Sequence, residues 1–393
     1  MHVLIVPSWY PTSEAPLDGI YFAEQARCLA RHGLQVGVLY PEQQSLRRLS
    51  WTALRRKYFQ VEWNCEEGIP TLRRYGWNVW SRFPPGLRCR VRSAVRLADR
   101  YVDRHGVPDL LHAQSGRWAG AAAARIGTRH GIPYALTEHF SGLLREAVFP
   151  WRWPLLREGY DGAGAVTAVS TALQRAVADH GLAPSSEVEI HPNVAPARFF
   201  RPPLSGRPSP PPFRFVTIAR LKPSKNVAGL LKAFARVASS EPERITLTVV
   251  GDGPERDHLE ERARVLGVEN QVRFLGECER EAVRDVLGRA HAFVLPSHHE
   301  TFGVVVLEAM ATGLPVVATA SGGPEDLVTP DTGLLVPPGD PEALAEGLRT
   351  LRRRWSAFDP DAIRVRTREQ FGPEAYVRRT RALYRRALRG ADS

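Results

Sequence analysis

Two segments of this 393-residue chain gather residue types that suit a phosphorylated, hydroxyl-rich ligand. In Arg220-Leu-Lys-Pro-Ser-Lys225-Asn226 two cations lie five residues apart, in what reads as a strand-to-helix loop. Such a pair converges on a diphosphate: the guanidinium offers a planar fork, the ammonium a mobile point charge, and a helix starting near Asn226 adds its positive end. In Ser297-His-His-Glu300-Thr-Phe-Gly303-Val-Val-Val-Leu-Glu308 two carboxylates lie eight residues apart, Glu300 in a loop and Glu308 inside the helix that Gly303 opens. Carboxylate oxygens accept from sugar hydroxyls. The backbone N–H groups of Phe302, Gly303, Val304 and Val305 at a helix start suit a hydroxyl or phosphate oxygen. Glu308 shares a face with Val304, Leu307 and Ala311, and a carboxylate buried there requires a partner.

The elements that would hold these segments read as strand–helix alternation. From residue 214 onward the strands are Arg214–Ala219, Ile245–Val250, Gln271–Leu275, Ala292–Leu295, Val316–Thr319 and Leu334–Val336. The helices are Val227–Val237, Glu255–Leu266, Glu281–Arg289, Val304–Ala311 and Pro341–Leu351. Continuous apolar strands of this kind predict a parallel sheet covered on both faces, and right-handed crossovers make it doubly wound. The first half repeats the pattern less cleanly. Val3–Val6, Gln35–Leu39, Leu110–His112, Tyr134–Thr137, Ala165–Val169 and Val188–His191 read as strands and Phe22–Arg31 as a helix, while residues 41–107 break into a basic, aromatic insertion. Prolines crowd Arg201–Pro212 and stiffen a linker there. The expectation is an α/β protein of two facing Rossmann-like domains, 1–204 and 205–373, with a cleft between them. A helix over 374–393 is expected to pack back on the first. In open α/β sheets ligands bind at the carboxyl ends of the strands, so the functional residues belong at strand ends.

Composition excludes other classes. Hydrophobic residues at 43% with 24% charged are ordinary for a globular protein. No stretch reaches the ~18 consecutive apolar residues of a membrane-crossing helix, and Met-His-Val-Leu-Ile-Val-Pro lacks the basic and apolar regions of a secretory signal. Four widely spaced cysteines without a CxxC pair read as free thiols of a reducing, cytoplasmic compartment. No His/Cys/Asp cluster has metal-ligand spacing, so no metal or cofactor is expected. Asp359-Pro-Asp361 reads as a helix cap. Gly251-Asp-Gly253 lacks the third glycine of a dinucleotide fingerprint, since Pro254 follows it. The net charge of +11 suits an anionic ligand or surface. Of 53 basic residues only four are lysines, and three of these, Lys222, Lys225 and Lys232, fall within one short stretch; Lys225 alone has a chemical case, and Lys232 reads as helix surface.

With further segments in the right order, the chain resembles glycosyltransferase family 4, the retaining nucleotide-sugar transferases of GT-B fold. The matching pieces are Arg220–Asn226, Val249-Val-Gly-Asp-Gly-Pro254, Phe274-Leu-Gly276, Leu295-Pro-Ser297, Glu300–Glu308, Ala309-Met-Ala-Thr-Gly-Leu-Pro-Val-Val-Ala318, Gly322-Gly-Pro-Glu325 and Gly333-Leu-Leu-Val336. The resemblance implies that Arg220 and Lys225 bind and stabilise the donor diphosphate. It implies that Glu300 contacts the transferred sugar, with the amides after Phe302 helping, and that Glu308 accepts from ribose hydroxyls. Gly276, Glu277 and the turn after Val250 would lie near the nucleobase. Gly19, in Leu17-Asp-Gly-Ile-Tyr-Phe22, would let a loop approach the phosphates closely. His139, in Thr137-Glu-His-Phe-Ser141, matches a family histidine near sugar and diphosphate. His112 at the preceding strand end reads either as a site residue or as a satisfied strand-end histidine. The implied reaction moves a sugar from a UDP- or GDP-sugar to a glycan or lipid-linked acceptor without a metal, the leaving diphosphate being stabilised by preorganised donors. A GT-B epimerase or hydrolase of nucleotide sugars is the second reading. A basic membrane- or nucleic-acid-binding module is the third, which leaves Arg220, Lys225, Glu300 and Glu308 unexplained, so no nucleic-acid partner is expected.

Residues 45–104 carry 14 Arg or Lys against five Asp or Glu, with Trp51, Trp63, Trp77 and Trp80. Arg88, Arg92, Arg96 and Arg100 recur every four residues beside Val91, Val95 and Val102, and Phe149-Pro-Trp-Arg-Trp153 adds a second aromatic piece. Cations with interfacial tryptophan suit an anionic membrane surface, which predicts peripheral docking on the inner face of the cell membrane. Ordinary arginine-rich surface over core tryptophans is the alternative.

Overall fold

The apolar runs fall into two separate sheets. The computed structural model describes residues 1–44, 60–77, 83–201, 206–239 and 244–390; Trp51, Trp80, Pro202 and Pro203 therefore lie outside the described residues. Contacts divide the chain into one unit of Met1–Asn193 with Val377–Ser393 and another of Val194–Tyr376. Where the sequence suggests a division at 204/205, the segment Val194–Arg201 groups with the second unit. The physical reason is burial: Val194, Ala195, Phe199 and Phe200 are all buried, and the Ala195 amide donates to the Phe371 carbonyl at 2.8 Å.

The first unit holds eight strands: β1 (His2–Pro7), β2 (Gln35–Gln44), β3 (Val61–Glu66), β4 (Ile69–Trp77), β5 (Leu110–Gln114), β6 (Tyr134–Glu138), β7 (Ala165–Ala168) and β8 (Val188–Ile190). Their order is β3-β4-β2-β1-β5-β6-β7-β8. All pairs are parallel except β3–β4. The supposed insertion thus contains a hairpin that widens the sheet and a helix, Pro84–His105, that covers it. That helix buries Leu87, Val91, Ala94, Leu97, Ala98 and Tyr101 and leaves Arg88, Arg92, Arg96 and Arg100 exposed. The final helix, Pro373–Gly390, joins this unit through its later turns. Thr380 meets His191 at 3.1 Å, the Arg381 guanidinium donates to the His32 carbonyl at 2.8 Å, and Arg386 pairs with Glu189.

The second unit holds β9 (Phe213–Ile218), β10 (Ile245–Val250), β11 (Val272–Gly276), β12 (Ala292–Leu295), β13 (Val316–Thr319) and β14 (Gly333–Val336), all parallel, in the order β11-β10-β9-β12-β13-β14. β12 and β13 are buried along their whole length, as strands covered on both faces must be. Because β9 and β12 are neighbours although two strands and three α-helices separate them in sequence, the loops that leave their carboxyl ends lie side by side. This is the topological switch of a doubly wound sheet.

Candidate active site

The loop after β9 and the loop after β12 are joined at the backbone, the His298 amide donating to the Ser224 carbonyl at 3.0 Å. This places Lys225 against Glu300: the ammonium donates to Oε2 at 2.5 Å, with the two side chains 22% and 14% exposed. Asn226 caps the helix Val227–Ala238 by accepting from the Gly229 amide at 3.2 Å. Arg220 lies on the same loop, exposed. The neighbouring loop explains the glycine pair at 251 and 253. A Cβ on Gly251 would lie 2.0 Å from the Ala219 carbonyl oxygen, so Gly251 is required for close packing of two strand-end loops.

Glu300 is fixed by its own backbone, its amide donating to Ser321 O at 2.9 Å and its carbonyl accepting from the Gly323 amide at 2.8 Å. Three residues on, Gly303 adopts φ 96° and starts the helix Val304–Ala311, which no side chain caps. The first-turn amides, those of Val304 and Val305 among them, therefore face the end where Glu300 stands and offer donors to an anionic or hydroxyl oxygen. Phe302 is buried and packs edge-on against Phe371, ring centres 6.3 Å apart. Glu308 is 1% exposed, and the partner it requires is Arg280. This guanidinium forks onto both carboxylate oxygens, one bond measuring 3.2 Å, and stacks 4.9 Å from the Phe199 ring centre. Gly276 ends β11 with φ 73°, its carbonyl accepting from the Gly251 amide at 2.7 Å, and Glu277 beside it is exposed. A cavity of about 650 Å³ lies elsewhere in this unit, against the first halves of β9–β11 beside Arg214 and Arg289, and none of the site residues lines it.

In the first unit Gly19 caps the helix Ile20–Arg31 with φ 73°. A Cβ there would lie 2.7 Å from the Trp9 carbonyl, so the chain's own backbone already demands glycine. His139 follows β6, buried, 5.6 Å from the Tyr21 ring and edge-on to Phe22 at 4.8 Å. Burial, reinforced by His112 and His191, holds it well below the usual histidine range, so its ring is neutral. Its Nε2 is buried and has no partner among the described residues. His112 differs. It lies inside β5, which runs on to Gln114, and both ring nitrogens are occupied, Nδ1 by the Tyr384 hydroxyl and Nε2 by Thr137 Oγ1, each at 2.9 Å. Burial pushes it down to about 3. It ties β5 and β6 to the final helix.

Residues 19–198 match Glycosyltransferase Family 4, and residues 206–375 match the glycosyl transferases group 1. The chain is 31% identical over 319 residues to D-inositol 3-phosphate glycosyltransferase 1 of Catenulispora acidiphila, covering 72% of this chain and 73% of that one. The chain belongs to the family 4 glycosyltransferases of GT-B fold. A Bacillus subtilis glycosyltransferase assigned to teichuronic acid biosynthesis is 29% identical, covering 88% of each chain. The Anabaena HepE protein in complex with UDP and glucose superposes with a TM-score of 0.69 at 20% identity, covering 97% of this chain and 99% of that one.

Two residues that organise this glycosyltransferase were not legible beforehand. Arg280 opens a surface helix rich in charge, and nothing in its spacing marks it as the counterion of Glu308. Glu138 is fully buried beside His139 and accepts from four donors: the Gly116, His139 and Phe140 amides at 2.9, 2.7 and 2.8 Å, and the Tyr160 hydroxyl at 2.6 Å. It fixes the backbone from which His139 projects. Asp359 caps the helix Pro360–Phe371 by accepting from the Asp361 amide at 2.9 Å. Among the described residues no group of three or more His, Cys, Asp or Glu is placed to hold a metal ion, and no helix is long and apolar enough to cross a membrane.

Proposed function

We propose that this enzyme transfers a sugar, with retention and without a metal, from a UDP- or GDP-sugar to a glycan or lipid-linked cell-envelope precursor. The observation that carries the reading is the Lys225–Glu300 contact at the switch point of the second sheet, beside an uncapped helix start. In the ground state Glu300 holds the ammonium in place; a donor diphosphate draws Lys225 and Arg220 to its oxygens and frees Glu300 to accept from the sugar. As the anomeric bond breaks, negative charge grows on the leaving phosphate where cations and helix amides already stand. Glu308, with two oxygens and about four acceptor positions, retains capacity for ribose hydroxyls while it holds Arg280. To Gly276 and Glu277 we assign the base, and to the neutral, unpartnered Nε2 of His139 a hydrogen bond to the sugar or diphosphate. The UDP complex of HepE and the teichuronic acid relative support the donor and acceptor classes.

A nucleotide-sugar panel tests this by thermal shift, since a bound donor raises the apparent stability with its affinity. Mass spectrometry of the product then separates glycoside from free sugar or epimer, and EDTA leaves turnover unchanged. Free sugar as the sole product in the presence of glycan acceptors, or loss of turnover in EDTA restored by a divalent cation, refutes the proposal. Cytoplasmic membrane docking belongs to it as well, through exposed Arg88, Arg92, Arg96 and Arg100 and the exposed rings of Phe83 and Phe149. Flotation with anionic vesicles, lost in high salt, is the expected result.

A further inference from the structure

Three arginines of the first unit gather without a carboxylate. Arg90 lies in the second turn of the helix Pro84–His105, Arg117 on the π-helical turn Gly116–Gly120 directly after β5, and Arg152 on the short turn Pro150–Arg152 beyond β6. Each guanidinium lies on an aromatic ring: Arg90 is 4.5 Å from the Trp118 ring centre, Arg117 is 5.5 Å from Trp9 and 5.8 Å from Phe140, and Arg152 is 4.9 Å from Trp151. Among the described residues none of the three side chains makes an ion pair or donates a hydrogen bond, and Nε of Arg90 and of Arg152 is buried without a partner. Arg152 is 8% exposed. Burial, together with repulsion from Arg152 and Arg90, pushes Arg117 down to about 10.

The same unit shows how it treats an arginine buried for structure. Arg73, 5% exposed, receives two carboxylates, Glu66 at 2.6 Å and Glu42 at 3.4 Å. Three cations collected and desolvated with no counter-charge raise the free energy of the empty protein, and a ligand that supplies the negative charge lowers it. A cation held over a ring uses no oxygen acceptor, so each guanidinium keeps N–H donors for an oxyanion. The location agrees. Arg117 lies just past β5 and Trp9 just past β1, with Arg152 in the connection from β6 to β7, so the group stands toward the carboxyl edge of the sheet, where α/β proteins bind ligands. The turn at Arg117 is entered through Ser115 at φ 78°, a strained non-glycine residue, and π-helical turns and strain of this kind collect at functional sites.

We infer that Arg90, Arg117 and Arg152 form a receptor for an oxyanion carried by the acceptor sugar, so that this enzyme glycosylates an acidic glycan, one bearing a carboxylate or a phosphate. This rests on the transferase reading for the word acceptor, but the receptor itself does not depend on the donor site. Binding of D-glucuronate, D-glucose 6-phosphate and D-glucose to the full chain is measured by saturation-transfer NMR titration, with and without saturating UDP. At least one anionic sugar binds about tenfold more tightly than glucose, and the one that does so identifies carboxylate or phosphate. Arg117→Gln and Arg152→Gln each reduce it to the level of glucose, while Lys225→Ala does not; the Arg152 variant decides the matter if the Arg117 variant fails to fold. Equal binding of all three sugars, binding of none, or unchanged anionic binding in the folded Gln variants overturns the inference. So does displacement of the sugar by UDP, which would assign the three arginines to the donor. A protein that binds neither UDP nor GDP refutes the donor reading alone, because the titrations without nucleotide still report the receptor.

Discussion

Replacing Glu308 by alanine removes both duties assigned to it, that of counterion and that of nucleotide acceptor. The carboxylate is 1% exposed and Arg280, 16% exposed, forks onto both its oxygens. Removing one member of a buried pair typically costs about 3–5 kcal/mol, because the other charge stays behind desolvated. Arg280 keeps some access to water, so the lower end, about 3 kcal/mol, applies. For a unit of this size each kcal/mol lowers the midpoint by about 2–4 °C, so the apo variant should melt roughly 6–12 °C early. Losing a charged acceptor for ribose hydroxyls removes a further ~1.5–3 kcal/mol of nucleotide binding, about ten- to a hundredfold in affinity.

The double substitution Glu308→Leu with Arg280→Met distinguishes the two. With both charges gone and apolar volume retained, most of the stability returns, since a buried pair adds little over well-packed hydrophobes. The UDP affinity does not return, because no carboxylate remains to accept. Thermal unfolding of the three apo proteins and calorimetric titration with UDP supply both numbers. Recovery of affinity together with stability would refute the ribose role and leave Glu308 as a structural counterion of Arg280.

Lys225→Ala lowers product formation about 10²–10³-fold, the usual effect of removing one preorganised charge from a transition state, and shifts the midpoint by less than the Glu308 substitution; wild-type turnover would remove Lys225 from the chemistry. Gly19→Ala places a methyl 2.7 Å from the Trp9 carbonyl at φ 73° and costs about 1–3 kcal/mol, read by chemical denaturation; an unchanged midpoint would mean that the Trp9 loop yields. His112 and His191 are held down at about 3 and His139 well below its ordinary value, so the fold excludes protons that the unfolded chain binds below about 6.5. Stability is therefore complete above that pH and falls by up to ~1.4 kcal/mol per pH unit for each histidine as the pH drops toward 3. Thermal melts at pH 7.5 and 5.5 check the sign, and His191→Asn should flatten the slope.

Much of the second unit was legible because a strand covered on both faces is one continuous apolar run. Ile245–Val250, Ala292–Leu295 and Val316–Thr319 are strands over the ranges read from the sequence. The hairpin β3–β4 was not, since Arg73 interrupts its inward face and is made tolerable by Glu66 across the hairpin and by Glu42 on a separate strand. His112 and His139 look alike in sequence, each near the end of an apolar run. What separates them is three-dimensional: Thr137 and Tyr384 saturate the first, and nothing described reaches Nε2 of the second.

The arginines carry this point furthest. In a chain that uses arginine for nearly every cation, residue type and net charge say little about role. Pairing says more. Arg280 with Glu308 and Arg73 with Glu66 are charges the fold has neutralised itself, so losing either carboxylate is felt first as instability. Arg90, Arg117 and Arg152 are charges the fold has collected and left to an outside anion, so removing one should relieve repulsion in the empty protein while it weakens the ligand. Opposite signs of stability change on substituting Glu308 and Arg117 would therefore separate structural from receptive arginines in one protein, by an experiment that needs no knowledge of the substrate.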